Sequence, residues 1–178
     1  MKSYYTDKEY KELLKHVVIL HSGAEQENSH ILEVFDKNKI KHKEKALKTG
    51  DYTFMIEACP ELGFLVNTHF SDELCIERKS GVKELAGNLA NNKNDDRFMK
   101  ELNRMINIDH VYLLIEDDRL DDIIEHKYDT KYNELSFIRT LLTWQKRSNF
   151  YMSFVKKENM AFMIYEICKN CLDAKILK

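Results

Sequence analysis

Residues 50–79, GDYTFMIEACPELGFLVNTHFSDELCIERK, decide how this chain is read. The stretch opens on Gly50-Asp51-Tyr52 and closes on Ile76-Glu77-Arg78-Lys79, and both ends have the character of strands. Alternate side chains of a strand share a face. Glu77 and Lys79 therefore point the same way, with Cys75, while Leu74 and Ile76 point into packing. An Asp at the head of one strand and Glu-x-Lys on a later one can set two carboxylates and an ammonium around one spot. Carboxylates held that close repel each other unless a proton or a cation lies between them. Magnesium takes oxygen ligands and keeps several waters. A lysine beside it can hold or help deprotonate one of those waters, which then becomes a nucleophile. These residue types suit metal-dependent phosphodiester hydrolysis.

Gly50-Asp51-Tyr52, then Ile76-Glu77-Arg78-Lys79, then Asp96-Arg97-Phe98 opening a further helix resemble the nuclease domain of the XPF/Hef family of structure-specific endonucleases. That family belongs to the restriction-endonuclease-like PD-(D/E)xK superfamily, and the resemblance runs from about the first strand onward. It implies an α/β/α sandwich with a central mixed sheet, an endonuclease acting on branched or otherwise structured DNA, and a requirement for Mg2+ or Mn2+. It assigns the metal to Asp51 and Glu77, with the Arg78 backbone carbonyl as a further ligand, and the attacking water to Lys79. Arg78 belongs to the signature, and its side chain is expected to reach DNA or pair with an acid. Glu25 matches a Glu that follows the first strand in the family, in a supporting role or toward a second cation. His21 stands where the family usually has an Asp. Imidazole is a poor magnesium ligand, so this position is peripheral to the metal, favours manganese, or marks a weakened site. The implied partners are DNA and a homodimer or related nuclease-domain partner packed through the last strand and helices. Degenerate family members instead support an active sister chain without cutting. Family members usually add a tandem helix-hairpin-helix module, for which this chain ends too soon. The single-domain form resembles versions from phages and mobile elements.

The chain's 178 residues suit one domain with a substantial core. We expect a peripheral N-terminal helix or arm over residues 1–15 and the nuclease-like domain over 16–178. The net charge of -2 argues against broad electrostatic adhesion to nucleic acid, so any DNA contact must rest on local basic patches. No apolar run reaches transmembrane length and no signal-peptide pattern opens the chain, so an intracellular protein without membrane contact is expected. Cys168 and Cys171 have CxxC spacing but lie on the apolar stripe of Met160, Ile164 and Ile167, which places them in the core rather than on zinc.

Around the central stretch, strands and helices alternate, which implies a sheet covered by helices. Thr6 and Glu9 form a capping box for a helix to Lys15, and His16–Leu20 reads as the first core strand. Ile31, Leu32 and Phe35 mark the packed face of a second helix. Residues 41–48 and 52–56 read as two strands joined by a tight turn at Thr49-Gly50. Taken alone, Asp51 is a turn-capping residue; beside Glu77-x-Lys79 it reads as a ligand. Residues 58–70 read as a loop. A helix beginning at Ser80 or Gly81 buries Val82, Leu85, Ala86 and Leu89, and the next buries Phe98, Leu102, Met105 and Ile106. On another face of that helix Arg97, Lys100 and Arg104 fall in a stripe able to track phosphates. The apolar run 110–116 suits a strand buried on both faces, followed by a solvated acidic segment from Glu116. A helix with Phe137, Leu141 and Trp144 inward, a strand at 149–155 and a final helix from Met160 complete the chain.

Overall fold

The structure, a computed structural model, describes residues 4–25, 27–90, 100 and 103–176. Seven strands form one mixed sheet: β1 (Val17–His21), β2 (His42–Glu44), β3 (Tyr52–Ile56), β4 (Thr68–His69), β5 (Leu74–Lys79), β6 (His110–Glu116) and β7 (Phe150–Val155). Their order is β2-β1-β3-β5-β6-β7, with β4 added to β3. β3 runs antiparallel to both β1 and β5. The pairs β1–β2, β5–β6 and β6–β7 are parallel. Parallel neighbours need a crossover. Helices supply these: α2 (Ser29–Lys37) joins β1 to β2, α3 (Val82–Ala90) lies between β5 and β6, and α4 (Leu120–Ile124) and α5 (Glu134–Ser148) lie between β6 and β7.

Strand alternation sorts the core into two layers. Ile19, Tyr52, Phe54, Leu74, Ile76 and Leu114 face one side. They pack against α1 (Asp7–Leu14), α2 and the final helix α6 (Met160–Ile176). Cys75, Val111, Leu113 and Ile115 face the other, under α3 and α5. Every residue of β1, β3 and β5 is buried, as expected for strands covered on both sides. Cys75 is thus as much a packing residue as Leu74 and Ile76. At the β1/β3 end of the second face, Val18, Leu20 and Met55 form a small separate cluster against Leu47.

The N-terminal helix has the expected capping box, in which Glu9 N–H donates to Thr6 Oγ1 and Thr6 N–H to Glu9 Oε2. It is not a peripheral arm. Tyr5 and Leu13 are part of the main core, the Tyr5 hydroxyl donates to Leu62 O at 2.8 Å, and the Tyr10 hydroxyl donates to Asp173 at 2.5 Å. The expected hairpin over 41–56 is also corrected. Strand β2 is only three residues long and pairs with β1 in parallel, through Ile19↔His42 and His21↔Glu44. Packing decides this: the His42 ring sits 5.7 Å from Phe35 and 5.5 Å from His21, and residues 45–50 cross to β3 as a loop. Segment 58–70 is more ordered than a loop. It contains a 3-10 turn at Pro60–Leu62 and strand β4, and its Phe70 stacks on Phe54 at 4.2 Å. Val82, Leu85, Ala86 and Leu89 are buried, as are Phe137, Leu141 and Trp144. Met105 is buried, but Ile106, expected inward, is exposed because helical backbone stops at Met105 and Ile106 lies in the turn beyond. Phe98 and Leu102 lie outside the described residues. Cys168 is buried and Cys171 half-buried, both as free thiols in the main core; burial raises the pKa of both, that of Cys171 to about 11.

Candidate active site

The β3/β5 register sets the geometry. The antiparallel pair Tyr52↔Ile76 brings Asp51, the residue before β3, opposite Glu77. Asp51 N–H donates to Ile76 O at 2.8 Å, and Asp51 O accepts from Ser22 N–H at 2.8 Å. The side chain of Asp51 turns toward β5, where its Oδ2 accepts from Arg78 N–H at 2.8 Å. Gly50 makes the approach possible. Its φ is +70°, and a Cβ there would lie 2.3 Å from Cys75 Sγ and 3.0 Å from Ile76 O. Only glycine meets both demands.

Along β5, Cys75, Glu77 and Lys79 share the face that α3 and α5 cover, as the alternation requires. Glu77 and Lys79 are both buried, and Lys79 Nζ donates to Glu77 Oε1 at 2.5 Å. The same ammonium lies 3.6 Å from Glu84 Oε1. Glu84 is held at the start of α3, where its other oxygen accepts from Ser80 N–H at 2.7 Å and Ser80 Oγ at 2.9 Å. Charges buried this deeply persist only when paired. The layout is two carboxylates at neighbouring positions of adjacent strands, with an ammonium beside one of them.

Arg78 points to the opposite face. Its Nε donates to Glu116 Oε2 at 2.7 Å and its Nη1 to Glu25 Oε1 at 2.9 Å. His30 Nε2 is 3.0 Å from the same Glu116 oxygen, and Lys157 Nζ is 4.0 Å from the other. Burial works against the Arg78 charge, but the hydrogen bond and charge of Glu116, with Glu25 behind it, outweigh that and raise its pKa. Burial, reinforced by the Glu25 charge, pushes the nearby Tyr52 phenol up. Of the two expectations for Arg78, reaching DNA or pairing with an acid, the structure shows the second: its side chain is 3% exposed and its donors are directed at acids within the fold. Glu25 is an anchor for that guanidinium. Glu116, read as the start of a solvated segment, is instead a buried partner. Both Glu84 and Glu116 were missed in the sequence. Their signals were a Glu four residues after Ser80, and a lone acid closing an apolar strand.

His21 faces away from Asp51, on the side of Val17 and Ile19. Its Nε2 lies 3.4 Å from His42 Nδ1, and His42 Nε2 lies 3.1 Å from Asp36. Burial, then the neighbouring His42, lowers its pKa, while Glu44 opposes them. It is peripheral to the carboxylate pair. Among the described residues no group of three or more His, Cys, Asp or Glu side chains is gathered so as to hold a metal ion. The donors on hand, Asp51 and Glu77, are hard oxygen ligands, which suit a Mg2+ ion that keeps most of its waters. Lys100 and Arg104 are exposed, and Arg97 lies outside the described residues.

A mixed sheet between helix layers, with Asp and Glu-x-Lys meeting where two antiparallel strands are joined, defines a restriction-endonuclease-like α/β domain. The model of the ERCC4 domain family matches residues 24–166, and the chain belongs to that family, as an XPF-type nuclease domain. Among solved structures it is similar to XPF from Aeropyrum pernix, with 16% identity and a TM-score of 0.63 over 87% of this chain. It is also similar to XPF from Aeropyrum pernix in complex with DNA, with 17% identity and a TM-score of 0.61 over 89% of this chain. In each case the match spans 65% of the solved chain. A comparison with curated proteins gives no match. No helix among the described residues is long and apolar enough to cross a membrane.

Proposed function

We propose that this chain is a divalent-metal-dependent endonuclease that hydrolyses phosphodiester bonds in branched or otherwise structured DNA. The observation that carries the reading is the placement of Asp51 opposite Glu77 with Lys79 on the same strand face. Asp51 and Glu77 would hold Mg2+ or Mn2+, with the Arg78 backbone carbonyl beside them. When bound, the ion would polarise the scissile phosphate and neutralise charge on the departing oxygen. Lys79, now directed at Glu77, would orient the attacking water and balance its proton. Glu84 limits where that ammonium can swing. Arg78, locked between Glu25 and Glu116 on the far face, would keep the end of β5 straight so that Glu77 and Lys79 stay aligned.

The test is cleavage of labelled branched and linear DNA by the purified chain with Mg2+ or Mn2+ and with a chelator. Asp51→Asn and Glu77→Gln should each abolish cutting while the chain stays folded at the assay temperature; Glu77→Gln also lowers the unfolding midpoint, because the buried Lys79 ammonium loses its charged partner. Undiminished cutting by both pure variants would remove the mechanism. A non-catalytic DNA-binding or partner subunit is the second reading, and one observation favours it: His21 stands where the family usually has Asp. Binding without cutting in both metals would select it.

A further inference from the structure

A cleft of about 550 Å³ lies along β3 and β5, next to the segment that leads into Asp51. Its walls come from residues 45–49, from Thr53 and Leu74 on β3 and β5, from His69, and from Arg104 with Asn107 and Ile108. Thr49 and Thr53 flank Asp51 two residues away on either side, and Thr53 shares its strand face. Thr49 and Thr53 are the lining residues nearest Asp51 along the chain; Asp51, Glu77 and Lys79 themselves do not line the cleft. Lys45, Lys48 and Arg104 line it, with Asp72 as its acid.

Several cations elsewhere are paired with acids. Lys41 is paired with Glu57, Lys79 with Glu77, Lys127 with Asp122 and Glu125, and Lys175 with Glu73. Among the described residues, no carboxylate lies within ion-pair distance of Lys45, Lys48 or Arg104, although all three are exposed. The Lys45 ammonium instead lies 3.1 Å from His69 Nε2. Three cations against the single acid Asp72 in a concave wall create a local positive potential on a chain whose net charge is -2. The lining contains no Phe, Tyr or Trp. Single-strand binders hold bases on aromatic platforms, and this wall has none. Beside Asp72 and its apolar residues, the wall carries ammonium, guanidinium, imidazole, hydroxyl and amide groups, donors of the kind that hold phosphate and sugar.

We propose that Lys45, Lys48 and Arg104 form a phosphate-tracking wall that holds one backbone of duplex DNA, independent of sequence, and leads it to the bond opposite Asp51 and Glu77. Its location rests on the nuclease reading; its binding does not. Each phosphate contact to duplex DNA contributes about 0.9 to the slope of log affinity against log salt. Losing all three lowers that slope by about 2.7.

The experiment measures binding of a labelled duplex across a salt series in the presence of a chelator, so that no cleavage occurs. It compares the parent, Lys45→Gln/Lys48→Gln/Arg104→Gln, and a control, Lys11→Gln/Lys15→Gln, on the exposed side of α1. The expected result is a slope reduced by two to three in the triple variant, unchanged in the control, and equal for two duplexes of unrelated sequence. An unchanged slope, or no duplex binding by the parent, overturns the proposal. Tighter binding of single strands that the triple variant loses equally overturns the duplex assignment. The outcomes separate the two readings. A lowered slope with Asp51→Asn still cutting keeps the wall and removes the mechanism. An unchanged slope with Asp51→Asn inactive does the reverse.

Discussion

Replacing Gly50 with Ala tests the contact on which the β3/β5 junction depends. Two costs arise. The backbone there has φ +70°, and a residue with a Cβ in that left-handed region costs about 1–2 kcal/mol. The new methyl would also lie 2.3 Å from Cys75 Sγ, well inside contact distance, and overpacking of a closed core costs about 1–3 kcal/mol. The sum is about 2–5 kcal/mol, a large share of the roughly 5–15 kcal/mol of a typical domain. A loss near 3 kcal/mol would lower the thermal midpoint by about 6–12 °C for a chain of this size. The assay is urea unfolding of Gly50→Ala, Cys75→Ala and the double variant. Removing Sγ relieves the clash and leaves the backbone cost. The double variant should therefore be more stable than the two single losses predict, by about 1–3 kcal/mol. The carbonyl of Ile76, 3.0 Å from the same Cβ, limits full recovery. A loss below about 0.5 kcal/mol in Gly50→Ala, the level of an ordinary surface change, would refute the close approach. Zero coupling would refute the assignment of the clash to Cys75.

The guanidinium on the far face gives a second prediction. Arg78→Met leaves Glu116, 3% exposed, without its closest partner, and should cost about 3–5 kcal/mol. Adding Glu116→Gln should recover part of that loss in urea titrations; a mild effect of Arg78→Met alone would contradict the buried pair. The third prediction concerns pH. Burial, then His42, holds the folded-state pKa of His21 below 6.5, so the unfolded chain binds a proton that the fold excludes. The stability this group contributes is full above the unfolded pKa and is lost as pH falls below about 6.5. Thermal midpoints should drop between pH 7.5 and 5.5, and His21→Asn should flatten part of that drop while His69, lowered by burial and Lys45, keeps the remainder. Equal slopes in parent and variant would contradict the assignment.

The fold was legible where its cause is local. The apolar run 110–116 is β6 to the residue, and Phe137, Leu141 and Trp144 are the buried stripe of α5. What failed was pairing. The lysine-rich run before Gly50 has the alternation of a strand, but nothing in it states which neighbour it joins. Its place beside β1 follows from α2, whose Phe35 packs on His42. The N-terminal helix looked detachable because its anchors, Leu62 and Asp173, lie far along the chain.

By itself, the sequence determined which side chains of β5 share a face, because a strand's period is two whatever surrounds it. That put Glu77 with Lys79 and sent Arg78 the other way. The partners of these groups were decided only by tertiary structure. Glu25 and Glu116 reach Arg78 from 53 and 38 residues away, and Asp51 meets Glu77 through a register set by packing on both sides of the sheet. Long-range burial turns an acid that reads as solvated into a buried counter-ion, since a charge taken from water needs a partner wherever the chain can bring one.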